Sequence, residues 1–435
     1  MSSAAPGRTV RNLAVDYYRV SGVGLIVLGH WLLSSITYRN GQFGRENPLV
    51  DLPWTQWATW PFQAVPAFFL VAGYAGAVSW RRQQERGGEP WQSWVRHRIA
   101  RVLGPTGVYV GLIFALVLTL LGLGMPGSVL QYAGWALAMH LWFLAVYLVV
   151  VTLTPIAIAA HDRWGLRVPA AMAAGVAVVD AVTIGGHVPR LGWINYLLCW
   201  GMLYQLGITW HAGRLNGRRP LLLAAGSAAA LALLIWLGPY PPSMIGVPGQ
   251  VVQNSTPPTL ALVAFGCAQA GIAVALAPPI DRALSGPRLR RIVAVANNNV
   301  MALYLWHMVP VIVVAVVAYP SGLLPQPEQA TAAWWLMRIA WVLILCAAMA
   351  VEMAILFWLR RLFAAPLPMI DVPLGDRWTA PVMLVGTALA AYSLAFISAD
   401  GFAPSGGFPW LTAIIFTVGL VLVASRSRRA DPAPM

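Results

Sequence analysis

Apolar runs of about twenty residues recur along the whole of this 435-residue chain, and that recurrence decides what it can fold into. In lipid every backbone N–H and C=O must be bonded within the protein, so a run of that length reads as a bilayer-spanning helix. Twelve runs are legible: 15–37, 60–80, 102–123, 135–158, 168–186, 193–211, 221–238, 257–279, 294–318, 333–359, 379–397 and 408–425. Only 10% of the residues are charged, against the roughly 25% usual in a soluble domain. The expected fold is an all-α polytopic membrane protein of about twelve transmembrane helices, with no soluble domain along it. The first run is too long for a signal peptide and lacks a small-residue cleavage site, so it is expected to act as an uncleaved anchor.

A net charge of +14 raises nucleic acid as a partner, but the distribution of charge answers topology instead. All 28 basic residues are Arg, and the Ala, Gly, Pro and Arg richness fits a GC-rich coding bias. With the N-terminus inside, one set of alternate segments holds Arg8, Arg11, six arginines from Arg81 to Arg101, Arg163, Arg167, Arg214, Arg218 and Arg219. It continues with Arg282, Arg288, Arg290, Arg291, Arg360, Arg361, Arg377, Arg426, Arg428 and Arg429, making 23 of 28. The opposite loops keep Arg39, Arg45 and Arg190, while Arg19 and Arg338 fall in or beside spans. Cytoplasmic loops carry such an excess, so both termini are expected in the cytoplasm. Tryptophans near span ends read as an aromatic belt. Cys199, Cys267 and Cys346 show no paired spacing that would indicate a metal site or a disulfide framework.

Chemistry is concentrated in the first span. Asp16-Tyr-Tyr-Arg19 is followed by ten residues and then His30. Eleven residues of helix turn through roughly 1100°, about 20° past three circles, so Arg19 and His30 share a face about 16 Å apart along the axis. Asp16 lies near the same stripe. A charge in hydrocarbon costs a few kcal/mol, so it faces protein or a wet cavity. Arg98-Ile-Ala-Arg101 places two guanidiniums at i, i+3 as the third span begins, a geometry suited to gripping phosphates. Topology alone would also explain that cluster. His140 and His307 are intramembrane, and Tyr304 lies one turn before His307; each is a functional candidate or a hydrogen-bonded strut. His97, His161 and His211 fall in or beside arginine-rich loops and read as solvated. Asp180 and Glu352 are intramembrane acids whose roles spacing does not assign.

Together these residues resemble the membrane acyltransferase type 3 family, whose signature is Arg-x10-His in the first span. Pro66-Ala-Phe-Phe-Leu-Val-Ala-Gly73-Tyr74 resembles its Pro-x-Phe-Phe-x-x-Ser-Gly-Phe motif, with Ala72 in place of Ser. Arg98-Ile-Ala-Arg101 with Pro105 matches its Arg-x-x-Arg element, and His140-Leu-Trp142-Phe-Leu its Trp-Phe-Leu motif. Asn299 through His307 resembles its Tyr-x-x-Tyr-Leu-x-His ending, without the earlier Tyr. The resemblance implies a ten-span core over 15–361, preceded by a cytoplasmic tail (1–14). A link with a two-span hairpin (362–425) and a second tail (426–435) follow.

The implied activity is O-acyl transfer from cytoplasmic acyl-CoA, with acetyl the expected group, to a hydroxyl of a cell-envelope sugar, glycolipid or hydrophobic metabolite in a bacterial plasma membrane. No tightly bound cofactor or metal is expected; acyl-CoA is a substrate. His30, Arg19 and Asp16 are the catalytic candidates, and Arg98 and Arg101 the donor-binding ones. His140, Trp142, Tyr304, His307 and Asn299 are expected on the acceptor side or in support. Which of His30, His140 and His307 moves the proton stays open at this level.

The rival reading is a secondary transporter, or a lipid or glycan flippase without catalysis, because twelve spans with both ends inside is also a transporter layout. Such a transporter usually shows two similar halves. The halves here do not resemble each other, and the loop beginning Arg81-Arg-Gln-Gln-Glu lacks the usual Gly-x-x-x-Asp-Arg pattern.

Overall fold

A computed structural model describes residues 12–87 and 90–427; Arg8, Arg11, Arg428 and Arg429 lie outside them. Helix α1 (Leu13–Leu33) leads into a hairpin of β1 (Ile36–Arg39) and β2 (Gln42–Arg45), then short helical turns, then α2 (Val65–Glu85). The middle of the chain forms α3 (Trp91–Gly122), α4 (Gly127–Ala138), α5 (Trp142–Thr152), α6 (Thr154–Trp164), α7 (Arg167–Asp180) and α8 (Asn195–His211). There follow α9 (Arg219–Leu237), α10 (Leu260–Ala283), α11 (Pro287–Trp306), α12 (Val309–Ala318) and α13 (Ala332–Trp358). A hairpin of α14 (Asp376–Asp400) and α15 (Trp410–Ala424) ends the helical part.

Among the described residues, eight helices are long and apolar enough to cross a membrane, or nine if α11 and α12 form one bent span. The other three expected runs are also helical. They are α1, which carries Asp16, Arg19 and His30, and the shorter α8 and α15, of 17 and 15 residues.

Local chemistry sets the ends of α1. The Asn12 side chain accepts a hydrogen bond from Val15 N at 3.2 Å, capping orphan donors in the first turn. Ala14 N donates to Asp281 Oδ1 at 2.8 Å, which ties the start of α1 to the end of α10. Arg81 pairs with Asp162 at the same end, where Arg163, Arg167 and Arg214 also gather. At the opposite end Tyr38 N donates to Gln326 Oε1 at 2.6 Å.

Two spans are interrupted where a continuous helix was expected. The fourth begins at Gly127, earlier than residue 135, because Gly124 (φ +80°) and Pro126 turn the chain there. A 3-10 turn at Met139–Leu141 then breaks it, with His140 in that turn about midway along Gly127–Thr152. The ninth bends by 51° between α11 and α12, where Pro310 offers no N–H to the Trp306 carbonyl. His307 stands in that bend.

Asp180 resolves as a structural clamp at the end of α7. Its carboxylate accepts from Asn195 Nδ2 (2.8 Å), Tyr240 Oη (2.9 Å) and Leu260 N (2.7 Å), so it also caps α10. Burial, with that carboxylate alongside, holds the Tyr240 phenol above its ordinary pKa. Asp180→Ala strands three donors, each worth roughly 1–3 kcal/mol when left unsatisfied. We expect a clear drop in melting temperature, read by thermal denaturation of the purified chain; an unchanged Tm would remove the clamp.

Candidate functional site

The two interrupted spans and α1 converge on three histidines. His30, in the last turn of α1, places Nδ1 at 2.8 Å from His307 Nε2, with the rings stacked at 5.1 Å. The His140 ring lies 4.9 Å from that of His307 and 5.2 Å from that of Tyr304. His140 and His307 each stand at the interruption of their span. A break in a membrane helix leaves backbone groups to be satisfied by neighbouring side chains. Here Trp31 Nε1 donates to the His307 carbonyl at 2.8 Å, and the Tyr304 hydroxyl donates to the His140 carbonyl.

These contacts assign the tautomers. His307 Nδ1 lies 2.7 Å from the Tyr304 carbonyl, and a carbonyl only accepts, so Nδ1 carries the proton. In a neutral ring Nε2 then accepts, which makes His30 Nδ1 the donor across the pair. His30 Nε2 is left with a lone pair, and among the described residues it has no hydrogen-bond partner. The order carbonyl–imidazole–imidazole holds the His30 ring in place and leaves that nitrogen able to accept a proton.

His30 and Trp142 form part of the wall between two spaces. On the arginine-rich side is a cavity of about 40 Å³, bounded by Val23, Val65, Phe68, Phe143, His140 and Tyr304. Neither His140 ring nitrogen makes a hydrogen bond of ordinary geometry among the described residues. On the other side is a chamber of about 1640 Å³ that opens at the protein surface. Trp54, Trp135, Trp142, Trp193, Trp334 and Trp335 line it, so these tryptophans face an internal surface as well as any belt. The loop 38–59 contributes Arg45, Asn47 and Thr55 to its wall.

Arg19 Nη1 donates to Asn297 Oδ1 at 3.3 Å. The pairings 19–297 and 30–307 place α1 and α11 parallel and in register. Asn299 instead donates to Val295 O of its own helix at 2.8 Å. Asn297 lies seven residues before Tyr304, within about 20° on a helical wheel, and that periodicity was the available signal. Asp16 is buried on α1. Arg98 stacks on Trp94 at 4.8 Å, while Arg101 is exposed; both stay at the arginine-rich end, away from the histidines. From Arg101 to Tyr109 is about 12 Å of helix, and the Tyr109 ring is 6.0 Å from that of His140.

Other residues emerge only from the packing. Arg96 is buried and donates to Thr379 O at 3.0 Å, anchoring α14. Arg338 donates Nη1 to Ser34 O at 2.8 Å and Nη2 to Ser35 Oγ, and stacks on Trp334 at 4.5 Å. A cation there suits the negative end of α1 and fixes the turn that holds His30. His161 is buried rather than solvated, 3.4 Å from Thr209 Oγ1. Its position one helical turn before the α6 terminus hid that burial from sequence.

A family described as an acyltransferase domain matches residues 12–357, taking in Arg19, His30, Arg98, Arg101, His140, Tyr304 and His307 and stopping before α14. No curated protein and no solved structure matches the chain.

Proposed function

The chain belongs to the type 3 family of membrane acyltransferases, and from that premise we propose that it moves a short acyl group, acetyl first, from acyl-CoA to an acceptor hydroxyl at His30. The observation that carries this reading is the oriented His30–His307 pair standing between an inner cavity and an outer chamber. We place both termini in the cytoplasm of a bacterial cell, with twelve crossings of the plasma membrane, on the strength of the arginine bias.

In this scheme the CoA phosphates rest on Arg98 and Arg101, and the pantetheine arm extends along α1 and α3. Arg19, about 16 Å from His30 along α1 and hydrogen-bonded to Asn297, holds the arm. Asp16 shares that stretch of α1 and is assigned a supporting role there. The acyl carbonyl enters the cavity beside His140 and Tyr304. A sugar or glycolipid hydroxyl arrives from the chamber past Trp142.

As its oxygen attacks the carbonyl carbon, His30 Nε2 takes the hydroxyl proton. His307 Nε2 accepts from His30 Nδ1–H and stabilises the imidazolium. The C–S bond then breaks, and the proton passes from His30 to the departing thiolate. Atoms and charge balance without an acyl-enzyme.

The test is release of free CoA from acetyl-CoA by the purified chain in lipid nanodiscs, with an envelope lipid and glycan extract as acceptor. Mass spectrometry would look for the acylated product. Acceptor-dependent release with product supports the proposal; movement of an unmodified glycolipid with no CoA release would replace it with the flippase reading. Arg98→Gln with Arg101→Gln is expected to raise the acetyl-CoA KM by about tenfold, through loss of charge-assisted phosphate contacts. An unchanged KM would move the donor site elsewhere.

A further inference from the structure

The hairpin α14–α15 lies beyond the matched family region, yet it forms one wall of the outer chamber. Ala388, Ala391, Tyr392, Ala395, Ser398 and Asp400 of α14 all line that space. Their chemistry is divided. The alanines leave room, while Tyr392, Ser398 and Asp400 put polar side chains on the same wall.

The hairpin is built into the bundle. Gly401 (φ +84°) turns the chain against Trp135, where a Cβ would come within 2.8 Å of backbone nitrogen. Phe402 N donates to Gly134 O at 3.3 Å, and its buried ring meets Phe114 at 5.3 Å. Helix α14 also packs on the turn that carries His140. Its position relative to the site is therefore determined by packing, as a specificity wall requires.

We infer that α14 sets the acceptor's size, and that the chamber takes a hydroxylated headgroup of more than one sugar-sized ring. The inference rests on the acyl-transfer reading for the word acceptor. A volume of about 1640 Å³ exceeds the roughly 300–1000 Å³ of an ordinary small-molecule site. Indole faces offer flat apolar surface to the C–H faces of sugar rings, with an N–H at the edge. Asp400 supplies carboxylate acceptors for ring hydroxyls, and Ser398 Oγ, whose own hydrogen goes to Ala395 O at 2.7 Å, a further acceptor.

The test uses hexyl β-D-glucoside (one ring) and hexyl β-D-maltoside (two rings) with the full chain in nanodiscs. Ala395 is exposed to the chamber, so Ala395→Phe fills space without entering the core. The two-ring KM is expected to rise by about tenfold in Ala395→Phe, with the one-ring and acetyl-CoA KM values within about twofold. Asp400→Asn, which keeps the shape, should weaken both glycosides and spare the acetyl-CoA KM. Equal behaviour of both probes in Ala395→Phe, or no change in either variant, would overturn the inference. Should wild type transfer to neither probe, acyl transfer to glycosides fails as a reading. Isothermal titration then decides the wall by itself: a Kd for the maltoside that weakens in Ala395→Phe supports it, and absence of binding or an unchanged Kd refutes it.

Discussion

Alanine at His30 is expected to lower kcat for acyl transfer by about 10³-fold or more, with the acetyl-CoA KM within a few-fold, because the proton acceptor is lost and the donor's phosphate contacts are untouched. Alanine at His307 should cost about 10²-fold, since it removes both the ring that orients His30 and the acceptor that steadies its charged form. The pair acts as one unit through the 2.8 Å contact, so the double variant should be no slower than His30→Ala. Both single variants must insert and melt like wild type before their rates are read. Independent, multiplying effects would show that His307 is merely a neighbour. Full activity in His30→Ala would pass the base to His140, whose ring borders the same cavity.

The second large effect is on folding. Helices α2 and α8 cross at Gly73 and Gly207 so closely that a Cβ on Gly73 would lie 2.0 Å from Tyr204 O, and one on Gly207 2.0 Å from Leu70 O. Backbone, rather than a flexible side chain, stands in the way on both sides. Small residues permit such approach between membrane helices, where packing rather than water drives association. Gly73→Val must therefore force the two helices apart, at about 3 kcal/mol or more.

We expect Gly73→Val to give little monodisperse protein on size exclusion and a markedly lower Tm in what survives. Gly226→Val on α9, where a Cβ meets nothing within 4 Å, is the matched control and should behave as wild type. Equal recovery of the two variants would contradict the crossing. The crossing also gives a physical reason for the glycine in Pro66-Ala-Phe-Phe-Leu-Val-Ala-Gly73: it is a contact point between helices, placed where α2 must approach α8.

Much of the site was legible before any contact was known. Arg19 and His30 announce themselves because a charged and an imidazole side chain on one face of an apolar helix need partners. The pattern even contains the partner helix, since Tyr304 and His307 repeat at helical spacing. Asn297 carries the same periodicity, but in the run Asn297-Asn-Asn299 three identical residues compete, and only the register of α11 against α1 selects the first. Tryptophans were ambiguous in a different way. An indole suits a lipid–water interface and a cavity wall equally well, so composition near span ends does not tell a belt from the lining of a chamber.

By itself the sequence determined the helices, the face that Arg19 and His30 share, the gathering of arginines in alternate loops and the membership of the acyltransferase family. Each follows from local quantities: the length of an apolar run, the turn per residue and the charge between runs. Tertiary structure decided that His30 meets His307 rather than standing alone, that a backbone carbonyl orders their protons, and that α14 walls the chamber. Those outcomes depend on two broken spans meeting and on contacts across more than 250 positions of chain, such as the 277 separating the two histidines. A helix period carries no information about which distant helix will face it; only packing all the apolar faces at once makes that choice.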